Sequence, residues 1–142
     1  MCLALSNLGS VYDLQGDYIL ALDYYQQSLA IAMEIGDRSG QGLVLCRWAN
    51  TLIKLEQYLE AQKYLQTSLE ICKEIGARNQ EANALNNLAA LYQKLGQHNR
   101  AVEYCEQALA LATELDIPLA KECQKLKEEL LTMEKEEREK GI

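Results

Sequence analysis

Apolar residues recur along this chain at spacings of three and four, the period of one buried helical face. Ala84, Leu85, Leu88, Leu91, Tyr92 and Leu95 trace one such face, and Gly96-Gln97 ends it, as Gly16-Asp17 ends an earlier one. A second stripe follows through Ala101, Val102, Tyr104, Cys105, Ala108, Leu109, Leu111 and Ala112. The whole pattern then repeats. Sliding the chain by 40 positions superposes Leu5, Leu45 and Leu85; Ala21, Ala61 and Ala101; Tyr24, Tyr64 and Tyr104; and Glu34, Glu74 and Glu114. Gly36-Asp37 and Gly76-Ala77 close the second helix of the first two units, glycine accepting the left-handed geometry that follows a helix. Asp116-Ile117-Pro118 takes that place in the third, with the proline suited to the first turn of a new helix. The pattern predicts helices near 2–15, 18–35, 39–54, 58–75, 79–95, 98–115 and 118–139.

Small residues say how these helices pair. Gly9, Ala49 and Ala89 lie on the first helix of each pair, and Ala21, Ala61 and Ala101 face them from the second. Two backbones approach closely there, with Leu8, Trp48, Leu88, Tyr24, Tyr64 and Tyr104 interlocking around them. One hairpin cannot bury both faces of its helices, so the hairpins stack as a near-one-dimensional solenoid. The last helix carries a narrow seam, Leu119, Cys123, Leu126, Leu130 and Met133, with charged residues elsewhere, as a terminal cap requires. The run from Glu134 to Lys140 alternates in sign and reads as a solvated helix end. No matching cap precedes the first helix, so Leu3, Leu5, Leu8, Val11 and Tyr12 include exposed apolar surface unless preceding repeats or a second copy cover it.

Composition narrows the function classes. The 142 residues are 49% apolar with one Pro, enough for one ordinary core and too apolar for disorder. A net charge of −7 opposes a general nucleic-acid binder. No stretch reaches the roughly 18 apolar residues of a membrane span, and the N-terminus lacks the pattern of a secretory signal. Cys2, Cys46, Cys72, Cys105 and Cys123 form neither a redox pair motif nor a zinc ladder, and are expected to be small core residues of a protein in the reducing cytoplasm. No metal or cofactor is expected. His98 and Cys46 are the material for an enzyme, and neither has a partner in the pattern that would activate it.

The repeat positions resemble the tetratricopeptide repeat family. Its W-L-G-Y-A-F-A spacing is met by Leu5, Leu8, Gly9, Tyr12, Ala21, Tyr25 and Ser28, and again by Leu85, Leu88, Ala89, Tyr92, Ala101, Cys105 and Ala108. The second unit departs most, with Trp48 at the second position and Leu52 for the tyrosine. The period exceeds the usual length of roughly 34, and the closing proline is missing. The second helices are therefore expected to run about 1.5 turns longer. The phrase from Leu85 to Tyr92 is similar to the long repeats of kinesin light chains and bacterial multidomain proteins. The resemblance implies an all-α, right-handed α-solenoid of three repeats (1–37, 38–77, 78–117), with residues 118–142 as capping helix and charged tail.

It also implies a concave groove lined by the first helices. The groove positions are Asn7, Ser10 and Asp13 from the first unit; Arg47, Asn50 and Lys54 from the second; and Asn83, Asn86, Asn87, Gln93 and Lys94 from the third. Amide side chains there offer donor and acceptor together to a peptide backbone. Asp13 opposes three cations, Arg47, Lys54 and Lys94, so the groove runs against the sign of the whole chain and favours an acidic partner. The family's two-asparagine, three-basic carboxylate clamp is not reproduced. Leu3, Leu14, Leu43 and Ile53 add apolar pockets between the polar rows. The expected function is a non-catalytic scaffold that binds an acidic peptide or partner segment. The alternative is a structural repeat block or oligomerisation module of a larger signalling protein, with self-association through the uncapped edge.

Overall fold

The computed structural model describes residues 2–140, without the side chains of Cys2 and Glu137. The expectation that Cys2 is a core residue, and the last two positions of the expected tail, lie outside the described residues. Seven helices follow one another: α1 (Cys2–Leu14), α2 (Tyr18–Ile35), α3 (Arg38–Lys54), α4 (Tyr58–Ile75), α5 (Arg78–Lys94), α6 (His98–Leu115) and α7 (Leu119–Lys140). Each lies within one residue of its expected bounds, and the described residues hold no strand. The second helices α2, α4 and α6 are 18 residues long, and the first helices α3 and α5 are 17.

The turns follow from backbone sterics. Gly16, Gly36, Gly76 and Gly96 all adopt positive φ, where a Cβ is unfavourable. Two non-glycine residues share that conformation: Asp116, which ends α6 as expected, and Glu56, where the glycine of the equivalent turns is replaced. Asp17 and Asp37 cap the helices that follow them, accepting from Leu20 N and Gly40 N.

The chain divides into two compact units, Met1–Gln80 and Glu81–Ile142. In the first, α1 packs on α2, α2 on α3, and α3 on α4. Ala21, Tyr25 and Val44 are buried together, with Tyr12, Leu22, Leu29 and Trp48 packed around them. The small residue at Gly9 makes room for a ring of α2, where Ala21 was the expected facing residue: a Cβ there would stand 2.6 Å from Tyr25 Cε1. Tyr12 stacks on Tyr24 with centroids 5.4 Å apart. In the next hairpin Leu52 replaces the first ring and is fully buried, and Trp48 meets Tyr64 instead, one turn earlier, at 4.9 Å. Ser68 donates to Gly42 O at 2.7 Å and ties α4 to α3.

In the second unit Tyr92 stacks on Tyr104 with the same spacing as the first ring pair. Helix α7 packs on α6 through the expected seam, with Cys123 and Leu130 fully buried. Cys105 Sγ–H donates to Cys123 O at 3.1 Å. Burial pushes the Cys105 thiol up despite the nearby Lys127. It pushes Cys123 up to about 11, with Cys105 and Glu122 adding in the same direction. Outer α7 positions are charged and exposed, and Arg138 pairs with Glu134 one turn back.

Candidate partner-binding face

In the first unit, α1 and α3 lie side by side and in register. Residues 40 or 41 apart therefore become neighbours, and they account for the polar contacts across this face. Arg47 Nη1 donates to Ser6 Oγ at 2.7 Å and to Asn7 Oδ1 at 2.9 Å. Lys54 Nζ pairs with Asp13 Oδ2 at 2.9 Å and lies 6.0 Å from the centre of the Tyr18 ring. Asp13 is buried, and its other oxygen has no hydrogen-bond partner among the described residues.

The three expected cations are therefore in different electrostatic states. Lys54 is neutralised by a buried carboxylate. Arg47 is held only by neutral oxygens, and among the described residues it makes no ion pair; its orientation is fixed while its charge stays uncompensated. Lys94, in the second unit, is exposed. Asn50 is half-buried. Ser10 points elsewhere, its hydroxyl lying 3.3 Å from Tyr25 Oη towards α2.

In the second unit the amide row of α5 meets the capping helix. Asn86 Oδ1 accepts from Cys123 Sγ at 3.5 Å, and Gln93 Nε2 lies 3.5 Å from Met133 Sδ. Both amides thus contact α7 and remain half-buried. Asn83 is exposed and Asn87 half-buried, each with further interactions of its own.

Sequence reasoning left Ser6 out of the principal site residues, although it anchors the guanidinium. The signal was the repeat length itself, since Ser6 and Arg47 are 41 positions apart, as are Asp13 and Lys54. Of the expected apolar pockets, one is formed as a cavity of about 170 Å³ bounded by Leu3, Leu43 and Val44, with Ser6, Ser39 and Asp37 around it. Leu14 is instead 83% exposed. Cys46, the thiol considered for catalysis, is buried.

This is a helical-hairpin repeat protein with a polar face on α1 and α3 that carries Arg47 and the Lys54–Asp13 pair. The family profile described as Tetratricopeptide repeat matches residues 40–114, and a second profile of the same description matches residues 4–39. The chain belongs to the tetratricopeptide repeat family, whose members are generally non-catalytic protein–protein interaction scaffolds. No curated protein matches the sequence. Among solved structures, the apo form of RapI is similar with a TM-score of 0.87 at 18% identity, over 95% of this chain and 50% of that one. BtubC from P. vanneervenii has a TM-score of 0.71 at 20% identity, over 94% of this chain and 61% of that one. A kinesin light chain from Podosopora anserina with nearly identical TPR-like repeats has a TM-score of 0.70 at 18% identity, over 94% and 74%. The chain thus spans half of RapI and under two thirds of BtubC. At these identities the likeness is one of fold. No helix among the described residues is long and apolar enough to cross a membrane.

Proposed function

We propose that this chain is a scaffold whose first-helix faces bind an acidic peptide or partner segment. The observation that carries the reading is Arg47, a guanidinium pre-oriented by Ser6 and Asn7 and left without a carboxylate of its own. A carboxylate arriving there gains charge-assisted hydrogen bonds without first breaking an ion pair. Asn50, on α3 with Arg47, supplies an amide for the backbone of the segment; in the second unit Lys94 is a further exposed cation with which an acidic segment can pair. Lys54 contributes through structure, because removing it strands Asp13. The buried free thiols support a reducing, cytoplasmic setting.

The test is fluorescence anisotropy with labelled peptides rich in Asp and Glu. Binding should weaken as salt rises and should fall with Arg47→Gln and with Lys94→Gln, while Lys121→Gln on α7 leaves it unchanged. Affinity indifferent to salt and to both substitutions would sink the proposal.

A second reading, self-association through α1, rests on burial at equivalent positions. Val44 and Thr51 on α3 are buried, whereas Ala4 and Val11 on α1 are exposed; Val11 is 47% exposed and Leu8, the counterpart of Trp48, 43%. Sedimentation should show a mass that rises with concentration in the wild type and stays monomeric in Leu8→Glu. A monomer at every concentration would contradict it.

A further inference from the structure

The cavity between α1 and α3 adjoins Arg47, and the two share a residue. Ser6 lines the cavity wall and also accepts the Arg47 hydrogen bond. Leu43 and Arg47 stand one turn apart on the same face of α3. At about 170 Å³ the space is too small for most cofactors, which fill several hundred. It is open enough to admit one aliphatic side chain between Leu3, Leu43 and Val44. The polar groups at its rim differ in sign. Asp37 caps α3 there, with its carboxylate on Gly40 N at 2.9 Å; the guanidinium lies on the side of Ser6.

We infer that this cavity and Arg47 form one composite subsite that reads an aliphatic residue with a carboxylate close to it in the bound segment. The inference rests on the proposed binding of acidic segments and adds an apolar anchor and a direction. The aliphatic side chain enters between Leu3 and Leu43, where it leaves water and excludes water from the rim. The acidic side chain lies towards Arg47 and away from Asp37, since a carboxylate beside Asp37 would be repelled while one beside Arg47 is paired. Segments with the reverse order place like charges together and bind less well. Charge alone sets how fast a segment arrives; the cavity sets which segment stays.

The experiment is selection of a displayed library of random short peptides on the whole chain, followed by affinities of the selected peptides for variants. Selected peptides should share a Leu, Ile, Val or Met with an Asp or Glu nearby, always on the same side. Replacing either by alanine should weaken binding about tenfold or more, as expected for a residue central to an interface. Leu3→Ser should do the same to the aliphatic dependence alone, and Arg47→Gln to the acidic dependence alone. Leu3 is 55% exposed, so its variant should keep the wild-type thermal melt. If the selected peptides are acidic, fall with Lys94→Gln and ignore Leu3→Ser and Leu43→Ser, the subsite is wrong and the broader reading survives. If they ignore Arg47, Lys94 and salt together, both are wrong.

Discussion

Gly9 has no room for a side chain. Gly9→Ala should lower stability by about 1–3 kcal/mol through displacement of Tyr25, read as a lower chemical-denaturation midpoint. The repeat register makes the reason visible along the chain. Tyr25 is paired in the repeat with Gly9, Leu65 with Ala49, and Cys105 with Ala89, so the larger ring goes with the smaller facing residue. Glu56 is the opposite case, a residue with a side chain in a conformation the equivalent turns give to glycine. Glu56→Gly should raise stability by about 1 kcal/mol, because the left-handed strain is lost where no helix propensity is at stake. A midpoint unchanged or lowered would contradict that. The left-handed turn at Glu56 was not legible in the sequence, since Glu56-Gln57 lacks the glycine that marks the other turns. The move of the aromatic contact from position 52 to Trp48 was half legible: both departures from the family pattern lie in one hairpin, but only packing shows that one compensates for the other.

Helices and their hairpin pairing were readable almost to the residue, because three copies of one pattern average out local ambiguity. The polar contacts between helices were not. Asn86 and Gln93 share a face with the other groove amides in any helical projection, and only the position of α7 shows that each also contacts that helix. The same holds for Lys54, whose buried partner gives it a structural task. Lys54→Met should therefore destabilise the fold by about 3 kcal/mol, the scale of a buried charge left without its partner. Arg38→Met, which breaks an ion pair exposed on both sides, should cost less than about 1 kcal/mol. Equal losses would mean that the burial of Asp13 has no energetic consequence. At the α6–α7 contact, the raised thiols favour the protonated, folded form. Their stabilisation is complete below the ordinary thiol range and is lost as pH rises through about 11, the folded value of Cys123. Thermal melts should fall over that alkaline window, and by less in Cys123→Ser than in the wild type.

At the scale of the molecule, the chain carries a net charge of −7, with 21 acidic and 14 basic residues. On the proposed function, an acidic segment is drawn against the sign of the whole chain to Arg47, whose guanidinium is held by Ser6 and Asn7 and by no carboxylate among the described residues. The repeat architecture was legible because stacking hairpins need the same small and large residues in each unit. The electrostatic state of each cation was not, because it depends on which residue 40 or 41 positions away its side chain reaches. On the proposed function, the α1–α3 face around Arg47 receives an acidic segment. A two-dimensional amide spectrum of the labelled chain, recorded while an acidic peptide is titrated in, tests it directly. Shifts should concentrate on Ser6, Asn7, Leu43 and Arg47 and vanish in Arg47→Gln; shifts confined to α2 and α4, or shifts that persist in that variant, would contradict it.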